Sequence, residues 1–155
     1  MVRSYLTGAT TEEQMEQELG IAYRHKGMLP SEFLEYLRQA LADHSIELMT
    51  GKKDTDVLRM INGQLQAGIP VPIYFSTINA WDRPSYDTHY SAVVGMNPED
   101  SSVTIANAYG YMETVAIVDF LDSLKYVNYR SKPFIFTAAI YSGLIGMNNI
   151  YIISR

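Results

Sequence analysis

The 155 residues contain no cysteine. That excludes disulfides, thiolate metal sites and any thiol nucleophile supplied by these residues. Basic runs are equally absent. Twelve Lys and Arg stand against 17 Asp and Glu, for a net charge of −5, so neither nucleic acid nor an anionic membrane surface is an expected partner. No apolar run is long enough to span a bilayer. The longest, "PFIFTAAIYSGLIGM", falls short of the roughly 20 residues required. Met1 to Leu6 runs straight into polar sequence, too soon for the apolar core of a signal peptide. A soluble chain is expected, and its compartment stays open.

What is present reads as one globular domain. Hydrophobic residues make up 47% and charged residues 19%, the composition of a chain that buries a core rather than remaining disordered. The first half carries helical periodicity. In "ATTEEQMEQELG", Thr10 and Glu13 form a capping-box pattern, Met15 and Leu19 share a face, and Gly20 is a stop. "PSEFLEYLRQALADH" is expected to start at Ser31 as N-cap, with Phe33, Leu34, Leu37 and Leu41 along one stripe. "DTDVLRMINGQLQAG" repeats the scheme with Asp54 as cap, Val57, Ile61 and Leu65 inward, and Gly68 as stop. A short strand, "SIELMT", separates the last two helices.

From residue 70 the period turns extended. "IPVPIYFSTI" is β-rich, and its prolines favour a strand start or an edge. "HYSAVVGM" and "SVTIANAY" read as buried strands, "METVAI" as a short strand, "VDFLDSLKYV" as a helix and "NNIYIISR" as a closing strand. Residues 133–146 fit strand and helix equally. Helices first and an antiparallel sheet after them make the expected class α+β.

The chemistry concentrates at His89 and Asn107. The turn "MNPEDSS" separates their strands. Centred near Pro98, it would pair residues whose numbers sum to about 196 and set His89 directly opposite Asn107. A carboxamide there would fix the imidazole tautomer and leave the second ring nitrogen as a base. The plain alternative is a strand-end histidine and a turn asparagine, both merely solvated. Asp87 lies two residues before His89, where it would modulate the imidazole or shape a pocket; a simple loop carboxylate is the other reading. Trp81, Arg83 and Tyr86 crowd the loop before His89 and suit contact with an extended peptide, or ordinary partial burial. His25 and His44 have no ligand-pattern neighbours, so no metal site is expected.

In this order and spacing the motifs resemble the papain-like cysteine peptidases, above all the branch of bacteriocin-leader-processing peptidases and their bacterial relatives. "TTEEQMEQELG" with "GMLPSEFLEYLRQAL", then "LQAGIPVPIYF", "HYSAVVGM", "ANAYG" and "VAIVDFLDSL" match that branch in sequence order over residues 2–128. The resemblance implies a papain-like fold, N-terminal helices packed on a C-terminal antiparallel sheet, and hydrolysis of peptide bonds without a cofactor. Carried over residue by residue, His89 is the general base and Asn107 its orienting partner. Trp81, Asp87 and Tyr109 fall in the substrate-binding surroundings, and the partner is a peptide or protein substrate.

The departure is the nucleophile. In that family a Cys opens a long helix, and "VRSYLTG" resembles only the last turns of one. Two explanations stay open: a shortened form of an active peptidase, or a natural pseudopeptidase that binds peptide without cleaving it. The apolar face that such a helix would cover makes a homodimer an expectation.

Overall fold

A computed structural model describes residues 29–76, 88–107, 110–126, 138–140 and 142–155. Its elements, in chain order, are α1 (Pro30–Ala40), β1 (Ser45–Met49), α2 (Asp54–Gln66), β2 (Val71–Ser76), β3 (Thr88–Asn97), β4 (Ser102–Ala106), β5 (Met112–Ala116), α3 (Ile117–Leu124) and β6 (Asn149–Ser154). The expected helix at "ATTEEQMEQELG" lies outside the described residues, as does much of 133–146.

Helix boundaries correct two expectations by one or two residues. The N-cap of α1 is Leu29, not Ser31. Pro30 takes the first helical position, where its missing N–H costs nothing. Glu32 then reaches back to accept from the Leu29 amide at 2.8 Å, one half of a capping box. The N-cap of α2 is Lys53, and Asp54 is the first helical residue. Its carboxylate accepts from Lys125 at 2.8 Å and from the Asn148 side chain at 3.4 Å, so it ties helix α2 to the end of α3 and to the approach to β6. The hydrogen bond to Asp54 holds the Lys125 ammonium above the usual lysine range, against the opposing pull of partial burial.

The stop of α2 is where the sequence places it. The Gly68 amide bonds to the Leu65 carbonyl at 3.0 Å and the Ile69 amide to Gln64 at 2.9 Å, a complete Schellman motif with Gly68 at φ +74°. A Cβ at Gly68 would meet nothing within 4 Å, so its substitution cost is conformational alone. Gly68→Ala is expected to lower unfolding free energy by about 1 kcal/mol, and Gly68→Asn by less, in urea denaturation. Equal losses for both would reject this account of the turn.

The six strands form one antiparallel sheet in the order β1-β6-β2-β3-β4-β5. The α+β class expected from the sequence therefore holds at the level of architecture. The short strand expected between the last two helices is β1, which lies between α1 and α2 and pairs with the last strand, β6. Of the two readings its prolines allow, a strand start holds for β2, which directly follows Pro70, and an edge does not. It is central, bonded to β3 along its whole length, whereas β6 meets it only at Ile73↔Ile150 and Tyr74↔Asn149. Pro72 thus sits just past the stretch that β6 pairs, opposite Ala92 of β3.

Alternation along the strands divides the core in two. One face carries Ile73, Phe75, Val93, Val103, Ile105 and Ile150, closed over by Val57 and Ile61 of α2 and by Phe120 and Leu124 of α3. The other carries Ile46, Ala92, Tyr151 and Ile153, with Leu37 and Leu41 from the α1 region. On that second face Tyr90 stacks on Phe33 with ring centroids 4.0 Å apart, and Tyr151 donates to the Pro30 carbonyl at 2.9 Å. Burial pushes the Tyr90, Tyr126 and Tyr151 phenols above their ordinary range. These hydroxyls act as neutral hydrogen-bonding groups of the core. No described helix is long and apolar enough to cross a membrane.

Candidate active site

His89 lies in β3, and Asn107 is the first residue past the end of the neighbouring strand β4. The ladder between them runs Ala92↔Ala106, Val93↔Ile105, then after an irregularity Gly95↔Thr104, Met96↔Val103 and Asn97↔Ser102. Paired numbers therefore sum to 198 or 199, not 196. Two local causes account for the difference. The β3–β4 loop is Pro98–Ser101, so its centre lies between Glu99 and Asp100 rather than at Pro98. The step between Val93 and Gly95 then shifts the count by one. Asn97 organises this loop, accepting from the Glu99 amide at 3.1 Å and donating to Asp100 at 2.9 Å.

The correction moves the partner without moving the face. Continued one step past Ala92↔Ala106, the register sets Asn107 opposite Ser91, with His89 two residues along. Direct opposition of His89 and Asn107 is thus replaced by a diagonal relation. Because the shift is even, both side chains belong to the face of Val93 and Ile105. Diagonal neighbours of this kind lie roughly 7–8 Å apart at the backbone, within reach of long side chains.

Each residue is held by its own surroundings. His89 pairs across the sheet with Phe75, and the two rings meet at 4.6 Å with a 59° tilt. Both imidazole nitrogens are shielded from solvent. Asn107 is only 2% exposed and opens the β4–β5 hairpin. The Gly110 amide bonds to the Asn107 carbonyl at 3.0 Å, and the Asn107 amide to the Tyr111 carbonyl at 2.9 Å. Gly110 has φ +89°, the conformation a tight hairpin needs at its last loop position.

Two residues not foreseen from the sequence join Asn107. Its Nδ2 donates to the Tyr111 hydroxyl and to Glu113 Oε2, each at 3.4 Å. The pairing Ile105↔Glu113 puts Glu113 on the same face as Asn107. The signal was in the chain: a three-residue turn ending at Gly110 sets Tyr111 opposite Asn107, and Glu113 follows two residues later. Trp81, Asp87 and Tyr109, named above as candidate substrate contacts, lie outside the described residues. Among the described residues no three His, Cys, Asp or Glu side chains come together to hold a metal ion. No protein-family model matches the chain, and no curated protein does either.

This arrangement offers an imidazole against an aromatic ring, and a buried carboxamide whose nitrogen end is turned to a carboxylate. The carbonyl end of Asn107 therefore faces away from Glu113. Chemically, a neutral imidazole can act as a base, and a carboxamide oxygen can accept from a ring N–H.

Proposed function

We propose that the domain is the base-and-orienter portion of a papain-like thiol peptidase. The observation that carries this reading is that His89 and Asn107 share one sheet face at the same end of adjacent strands. In the proposed reaction His89 takes the proton of a cysteine thiol. The thiolate attacks the scissile carbonyl carbon, and the resulting oxyanion collapses as the C–N bond breaks. His89 returns the proton to the leaving amine, and water then hydrolyses the thioester with His89 again as base. Asn107 keeps one ring nitrogen protonated and the other aimed at the sulfur. The thiol itself is not among these 155 residues, so the proposal places it in polypeptide outside them.

The test is to express the complete open reading frame and treat it with a cysteine-directed probe and a peptide substrate panel. One labelled cysteine is expected, with turnover falling at least about 10³-fold in His89→Ala and less in Asn107→Ala, as for loss of a base against loss of its orienter. A full product without a reactive cysteine would end the peptidase reading. The lack of cysteine favours a second reading, a pseudopeptidase that grips an extended peptide beside His89 and Asn107. That reading expects peptide binding that His89→Ala weakens, without cleavage.

A further inference from the structure

Glu113 stands where it can decide which end of the Asn107 carboxamide faces which way. An ionised carboxylate only accepts hydrogen bonds, so the group turned toward it must be the NH2. The Tyr111 hydroxyl, by contrast, both donates and accepts, and satisfies either orientation. Of the two side chains at 3.4 Å from Nδ2, only Glu113 carries directional information. Asn107 is buried and Glu113 half-buried, which makes a reversed amide, with its oxygen against a carboxylate, costly.

We infer that Glu113 is a positioning residue: it locks the Asn107 carboxamide with its nitrogen toward β5 and its carbonyl oxygen away from Glu113, the orientation an acceptor of an imidazole N–H requires. This rests on the proposed His89–Asn107 pairing for its catalytic meaning, but not for its geometry. It adds a fourth member to the site, one that acts through Asn107 and touches no substrate. The chemistry also says which substitution is informative. Glu113→Gln keeps length and shape while adding a donor, so either amide orientation becomes acceptable. Tyr111→Phe removes a partner without changing the preference.

The experiment is heteronuclear NMR on the chain as it stands, reading the Asn107 side-chain amide signals and the His89 ring tautomer above neutrality. In the wild type a single pair of Asn107 NH2 resonances and one dominant His89 tautomer are expected. In Glu113→Gln the Asn107 pair should shift or split and the His89 tautomers become mixed. In Tyr111→Phe both should stay close to wild type. Unchanged Asn107 resonances in Glu113→Gln would overturn the inference, and backbone spectra matching the wild type would confirm that the variant is folded. Asn107→Ala separates this failure from failure of the functional reading. An unaltered His89 tautomer in Asn107→Ala would break the His–Asn pair, whereas the Glu113 assignment is judged on the Asn107 amide signals alone.

Discussion

Phe75→Ala should lower the unfolding free energy by about 3–5 kcal/mol, the range for removing a fully buried aromatic ring. Phe75 is 1% exposed and belongs to the main core between the sheet and helices α2 and α3. It also forms the wall against which the His89 ring rests. The substitution therefore has two consequences from one cavity: the core loses its transfer and packing energy, and the imidazole loses the surface that limits its rotation. Phe75→Leu, which keeps most of the volume, should cost roughly 1.5 kcal/mol or less. Urea unfolding monitored by circular dichroism measures both. A loss below about 1 kcal/mol for Phe75→Ala would mean that the ring is not packed as described.

The second large effect is expected at Gly146, before β6. A Cβ there would overlap Thr50 Oγ1 and come to 3.0 Å from Thr50 Cβ and 3.2 Å from Asn149 Oδ1. The surrounding segment has little room to yield. Thr50 Oγ1 donates to the Met147 carbonyl at 3.2 Å and the Gly51 amide to the same carbonyl at 2.8 Å. Asn148 donates from its backbone to Leu124 at 2.9 Å and from its side chain to Lys52 at 2.7 Å. The Gly146 carbonyl itself accepts from Tyr126 and Asn149. Gly146→Ala is accordingly expected to cost about 2–3 kcal/mol, as overpacking at a fixed site does. Thr50→Ala should return part of that loss in the double variant, with a coupling of about 1 kcal/mol or more in a double-mutant cycle. Additive effects would contradict the described contact.

How much of this was legible in the sequence depends on range. Local signals served well: the 3.6-residue stripe Val57, Ile61, Leu65 and the Gly68 stop mark α2, and the alternation in β3 and β4 marks those strands. What depends on distant partners was not legible. Nothing in "NNIYIISR" says that it inserts between β1 and β2, because that choice is made by the packing of two faces at once. The prolines around β2 marked its start but left an edge equally open, since the sequence does not show how far β6 reaches along that strand. Register failed by a count of two because a four-residue loop and a bulge-like step both displace the centre of pairing. The shared face of His89 and Asn107 survived because an even shift preserves parity. Glu113 was missed for want of carrying the pairing across the next hairpin.

The site as proposed depends on Asn107 setting the protonation pattern of the His89 ring. The most direct measurement is the ring-nitrogen NMR spectrum of His89 in the wild type and in Asn107→Ala, at a pH where the imidazole is neutral. The account predicts one dominant tautomer in the wild type and a mixture of two when the carboxamide is removed. Identical spectra for the two proteins would contradict it.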